Sequence, residues 1–198
     1  MANVVTRGRG SLWIRRIGAL QFGVLLLSIG APILSSAQDD AAAVLERRVK
    51  AALLYRFTNY VDWQESAPLQ PDAPFTIAIA GADALAAELS EAAANRAVQG
   101  RPLAVRKVRA AELPKDVQVI FIGKSESPQL ATALRSVPPG ILIVTESEDA
   151  LQLGSVINFV IVEGQVRFDV SLDAARRRNI HLSSRLLSVA HIVIGASP

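Results

Sequence analysis

The stretch Gly154–Ser171, GSVINFVIVEGQVRFDVS, decides how the rest of the chain is read. Val156 to Val162 is dominated by β-branched and aromatic side chains, with Asn158 as the only interruption. After Glu163-Gly164-Gln165 the pattern alternates, with Val166, Phe168 and Val170 on one face and Arg167, Asp169 and Ser171 on the other. Two β-rich runs joined by a short Gly-containing connection predict a hairpin, because tight hairpin turns need backbone at positive φ. The first run, apolar on both faces, is expected inside a covered sheet, and the half-polar second run further out, as an antiparallel edge.

Upstream of this hairpin the chain alternates strands and helices. Phe75–Ala80, Leu103–Val108, Val117–Ile122 and Ile141–Thr145 read as strands. Ala84–Asn95, Ser127–Ser136 and Ser147–Leu153 read as the helices between them, and Leu172–Asn179 and Ser183–Ile194 as closing helices. This order implies a single α/β sandwich domain, with a mostly parallel central sheet flanked by helices and a C-terminal antiparallel hairpin. Ser66–Pro74, punctuated by three prolines, reads as a loop. Before it, Asp39–Tyr60 is expected to be an amphipathic helix with Val44, Leu45, Val49, Ala52, Leu53 and Phe57 on the buried stripe. Glu46 and Lys50 are expected as an i, i+4 pair on its other face.

Residues 1–37 pose a different problem. Arg7, Arg9, Arg15 and Arg16 form a basic start, Ile17–Leu34 is uncharged and mostly apolar, and Ser35-Ser36-Ala37 supplies small residues. That is the pattern of a secretory signal peptide cleaved after Ala37, leaving residues 38–198 as the mature domain in the periplasm. The competing reading, a retained anchor helix, is weakened by Gly18, Gly23, Gly30 and Pro32. Taking the four leader arginines from the 21 basic residues leaves 17 against 18 acidic ones, so the mature chain carries a net −1. The basic character belongs to the leader and does not describe a nucleic-acid surface. With no cysteine in the chain, neither a disulfide framework nor a lipid-bearing cysteine exists.

Catalytic signals are sparse. Gly81-Ala82-Asp83 and Gly123-Lys124-Ser125 stand where strands give way to helices, but neither completes a phosphate-binding glycine motif. Two histidines ten residues apart, His181 and His191, offer no metal-ligand spacing, so neither metal nor cofactor is expected. Ser183 with His181 lacks a third partner for nucleophilic catalysis, which argues against a hydrolase. The one polar constellation is Asn179–Arg185, where Ser183 or Ser184 can cap the last helix with His181 and Arg185 beside its positive end. Arg176-Arg177-Arg178 reads as a solvated helix end.

The segments VKAALLYRFTNYVDW (Val49–Trp63), FTIAIAG, VQGRPLAVRKV (Val98–Val108), VIFIG and Gly154–Ala190, in this order, resemble the YfiR-type periplasmic proteins. The resemblance spans about residues 44 to 194 and implies a compact α/β domain that acts as a homodimeric, non-enzymatic regulator. It implies binding to the periplasmic sensor domain of an inner-membrane diguanylate cyclase, restraint of cyclic-di-GMP output, and release through a peptidoglycan-associated outer-membrane protein. Some relatives carry regulatory disulfides, a route closed to a chain without cysteine. By position, the resemblance places ligand or partner contacts at Asp62, Trp63, His181, Ser183 and Arg185. The alternative reading is a periplasmic sensor of a small anionic or aromatic molecule at Asp62, Trp63, His181 and Arg185.

Overall fold

The computed structural model describes residues 33–63 and 73–195. Its strands are β1 (Val61–Asp62), β2 (Phe75–Ala80), β3 (Ala97–Val98), β4 (Arg101–Val108), β5 (Val119–Ile122) and β6 (Leu142–Thr145). They continue with β7 (Ile157–Val162), β8 (Gln165–Ser171), β9 (His181–Leu182) and β10 (Ile192–Ile194). The helices are α1 (Ile33–Phe57), α2 (Asp83–Ala93), α3 (Leu130–Ser136), α4 (Ala150–Leu153), α5 (Leu172–Arg177) and α6 (Ser184–Leu187). The expected leader lies outside the described residues except for Ile33–Ala37, which open α1, so in this chain the helix starts ahead of Asp39. Most of the expected Ser66–Pro74 loop also lies outside them.

Eight strands form one sheet in the order β10-β8-β7-β6-β5-β2-β4-β3. The run from β4 to β7 is parallel throughout, as the alternation of strands and helices predicts. The hairpin is antiparallel, and Phe159 stands opposite Phe168. Its turn residues Glu163 and Gly164 have φ of 51° and 72°, the double positive φ of a two-residue hairpin loop. At the heart of the sheet, β2 and β5 leave through Gly81 and Gly123. A Cβ on Gly123 would lie 2.6 Å from the Gly81 carbonyl oxygen, so only glycine permits this approach.

Both faces of the sheet are covered. On one side Ile77, Phe121, Val144, Ile157, Phe159 and Phe168 pack with Leu54 and Phe57 of α1 and Leu85 and Leu89 of α2. On the other, Ala78, Ile120, Ile122 and Ile143 pack with Leu130 and Leu134 of α3 and Ala150 of α4. The central strands are therefore apolar without alternation, as buried parallel strands must be. After β8, Ser171 Oγ accepts the Ala174 N–H at 3.1 Å and caps α5. Ser171→Ala should lower the unfolding free energy by about 1 kcal/mol, read as a lower urea midpoint at unchanged slope.

Four expectations need correction. The closing helix does not run from Ser183 to Ile194; α6 ends at Leu187, and Ile192–Ile194 turns back to pair in parallel with β8. Three consecutive β-branched residues favour an extended edge over a helix end. The hairpin is consequently not the edge of the sheet, because β10 lies outside it. Nor is β7 covered along its length, for it pairs with β6 only through Ile157 and Asn158. Beyond them the hairpin overhangs, and Ile161 is 54% exposed. Finally, the buried stripe of α1 is Lys50, Ala51, Leu54, Phe57 and Thr58, whereas Leu45 and Ala52 are exposed. In an alanine-rich helix, periodicity alone leaves the buried face underdetermined.

Candidate functional site

The two segments singled out from sequence meet. β1 and β9 form a separate antiparallel ribbon with Val61 opposite Leu182 and Asp62 opposite His181. The Ser183 N–H extends it by donating to the Tyr60 carbonyl at 2.9 Å. The ribbon thus fastens the end of α1 to the start of α6. Asp62 and His181 are exposed on it. Trp63 is partly buried, its Nε1–H donating to the Thr58 carbonyl at 3.0 Å and its ring edge-on to Phe75 at 5.2 Å. Ser183 caps α6, its Oγ accepting the Leu186 N–H at 3.3 Å. Arg185 follows, exposed, its guanidinium unpaired among the described residues.

Four of the five candidates therefore share the ribbon, and Arg185 stands just beyond it. The expected capping by Ser183 is present, and little of an anion site accompanies it. A helix of four residues sums few peptide dipoles, and the hydroxyl and N–H of Ser183 are already engaged. What the ribbon offers is an exposed acid opposite an exposed histidine, with Trp63 next to the acid and an exposed arginine in the helix that follows. His191, expected on an apolar helix, instead precedes β10, with Nδ1 2.9 Å from Asp169 Oδ1.

A second site was not legible. Where β7 continues past the end of β6, a cleft of about 610 Å³ opens beneath α1. Lys50 reaches into it from α1, 7% exposed, and its Nζ donates to Glu46 one turn back and to Glu146 Oε2 at 2.5 Å. Glu146 Oε1 also accepts the Lys124 N–H at 3.0 Å, so one carboxylate joins α1 to the ends of β5 and β6. Burial, the largest single influence, would lower the Lys50 pKa. The hydrogen bonds and charges of Glu146 and Glu46 together outweigh it and hold the pKa above its ordinary 10.5.

The floor of the cleft is polar and buried. Asn158 Oδ1 accepts from Thr145 Oγ1 at 2.7 Å and from the Ser147 N–H at 3.2 Å, which fixes the amide orientation. Its Nδ2 is left without an acceptor among the described residues, on a side chain that lines the cleft and is 7% exposed. Phe159, Val160 and Ile161 of the overhanging hairpin form the wall. A smaller hollow of about 290 Å³ at the start of α2 shares Glu46, Lys50 and Glu146. The sequence did hold a signal for Lys50, since it precedes Leu54 and Phe57 at the i, i+4, i+7 spacing of one helix face. Among the described residues no group of three His, Asp or Glu side chains is placed to hold a metal ion, and no helix is long and apolar enough to cross a membrane.

No curated protein matches the chain. Among solved structures, it is similar to a conserved domain protein from Vibrio cholerae O1 biovar El Tor, at 10% identity and a TM-score of 0.50. That similarity covers 75% of this chain and 60% of the other, and shows a shared fold. An ABC domain from Streptococcus pneumoniae, solved with L-Trp, is similar at 13% identity and a TM-score of 0.43, over 64% of this chain and 57% of that one. The YfiR/HmsC-like family description fits residues 47–191, from the middle of α1 to the turn before β10. That span takes in both the ribbon and the cleft, and the chain belongs to the YfiR/HmsC-like family.

Proposed function

We infer that this protein is a periplasmic, non-enzymatic regulator that binds the sensor domain of an inner-membrane signalling protein, a diguanylate cyclase, and restrains its cyclic-di-GMP output. The observation that carries this reading is the family match across nearly every element of the domain. The leader pattern of residues 1–37 supports the compartment. The surface supports a protein partner. β10 is the last strand of its sheet, and Ile192, Val193 and Ile194 are 45%, 40% and 40% exposed, with Val189 beside them at 63%. An apolar edge strand is a template for another chain, whether the sensor or the second copy of a homodimer. Restraint requires tighter binding to the inactive sensor than to the active one, and about 10⁴-fold preference would reverse a 1:99 population.

Residues 38–198 immobilised and exposed to solubilised inner membranes should retain a protein with a periplasmic sensor and a cytoplasmic cyclase domain. Deletion of the gene should raise cyclic-di-GMP. Retention of a histidine kinase with no change in cyclic-di-GMP would replace the cyclase by another sensor. The second reading, a small-molecule sensor, draws on the cleft, where the Nδ2 of Asn158 is left free to donate to a ligand.

A further inference from the structure

The run Arg176-Arg177-Arg178, expected as a solvated helix end, divides its labour. Arg176 pairs with Asp173 one turn back. Arg178 turns inward, and its Nε, Nη1 and Nη2 donate to the carbonyls of Gly154, Val137 and Leu134 at 3.3, 3.2 and 2.9 Å. Those carbonyls belong to the ends of α4 and α3, where orphan acceptors collect. The Arg178 carbonyl in turn accepts the Gly140 N–H at 2.7 Å. The side chain is thus held rigidly by backbone, with two of its five N–H donors still uncommitted.

Beside it lies a hollow of about 450 Å³. Every charged side chain lining it is an arginine: Arg135 from α3, Arg177 from α5, and Arg178. Arg48, Arg106, Arg109 and Arg176 each have a carboxylate partner, but these three have none among the described residues. Burial, and to a lesser degree the neighbouring charge of Arg177, push the Arg178 guanidinium below its ordinary value. Cations in a last helical turn do complement that helix's dipole. Here, however, Arg178 already occupies the Leu134 and Val137 carbonyls at the end of α3, the helix that carries Arg135.

We propose that this hollow binds a phosphate-type oxyanion, free or borne on a lipid headgroup, between the guanidiniums of Arg135, Arg177 and Arg178. A dianion answers three positive charges better than a single carboxylate does, and the guanidinium fork matches phosphate oxygens in pairs. Val137, Pro139 and Leu153 give the organic part of the molecule an apolar wall, and the volume suits a small organic phosphate. This site is separate from the ribbon and from the Lys50 cleft, and it does not depend on the regulatory reading.

The test is calorimetric titration of the 38–198 protein with glycerol 3-phosphate, with ionic strength held constant by sodium chloride. Arg135→Gln with Arg177→Gln should weaken binding at least about tenfold, with an unchanged urea midpoint in the absence of ligand. Arg135→Lys with Arg177→Lys, which keeps the charge and removes the fork, should fall between. Co-sedimentation with phosphatidylcholine vesicles, with and without phosphatidic acid, separates the sources. Binding only to phosphatidic acid vesicles, lost in the glutamine variant, assigns the site to a headgroup, and binding of glycerol 3-phosphate assigns it to a soluble phosphate. Binding of neither probe, or equal binding by wild type and glutamine variant, overturns the proposal.

Discussion

Phe159→Ala should lower the unfolding free energy by about 3–5 kcal/mol, the largest loss expected from a single core truncation in this fold. The residue is 3% exposed. Its ring stacks on Phe57 of α1 at 5.8 Å and lies 6.1 Å from Phe121 of β5, while Phe57 also meets Phe168 edge-on at 5.0 Å. Phe159 is therefore the aromatic link between the central sheet, the hairpin and the first helix. Emptying its site leaves a cavity walled by the rings of Phe57 and Phe121, which are anchored on α1 and β5 and are not free to collapse into it. Urea denaturation of the variant measures the loss. A midpoint within error of wild type would mean that α1 does not pack on the hairpin as described.

Lys50→Ala is the second large effect, and its cause is electrostatic. The ammonium is the counter-charge of two carboxylates, Glu146 with 18% of its side chain exposed and Glu46 with 39%. Removing one partner of a fully buried pair costs about 3–5 kcal/mol. Because Glu46 is substantially hydrated, the expected loss here is about 2–3 kcal/mol. Lys50→Met, which keeps most of the buried stem, separates lost packing from lost charge. The pH dependence has a definite sign. The Lys50 pKa is raised in the folded state above 10.5, so its contribution is complete below pH 10.5 and declines as pH rises through the folded value. Urea titrations of wild type and Lys50→Met should thus differ by a constant amount from pH 7 to about pH 10 and converge above. A difference that disappears within the neutral range would show that the pair does not stabilise the fold.

Lys50 also shows where a sequence stops being informative. A lysine is normally assigned to the solvent face, and the i, i+4 spacing from Glu46 strengthened that assignment; only the distant Glu146 makes its burial tolerable. Asn158 stood out as an interruption in an apolar run, but its role depends on Thr145 and Ser147, on another strand and the loop after it. By contrast, the central strands were legible because their apolar runs are local, and the hairpin because Glu163-Gly164 must adopt positive φ. β1 and β9 are two residues each and pair with one another across most of the domain, too short for any periodicity. His181, Ser183 and Arg185 stood out in the sequence as a polar constellation, Asp62 and Trp63 only through the family resemblance, and the ribbon that joins them appears only in three dimensions. β10 was lost because Ile192-Val193-Ile194 continues an apolar helical pattern, and short apolar runs read equally well either way.

The ribbon has a consequence for the order in which the molecule can assemble. Val61 finds its partner at Leu182, and Phe57 packs against Phe159 and Phe168, so although α1 can meet Leu85 and Leu89 of α2 early, its C-terminal end is not fully housed until the last quarter of the chain exists. A polypeptide emerging from its N-terminus therefore carries the end of an apolar helix face only partly covered through most of its synthesis, and the contacts that complete it are of high contact order and form late. Shielding of that face by another protein during biogenesis would matter more here than in a domain whose first helix packs on its nearest strands.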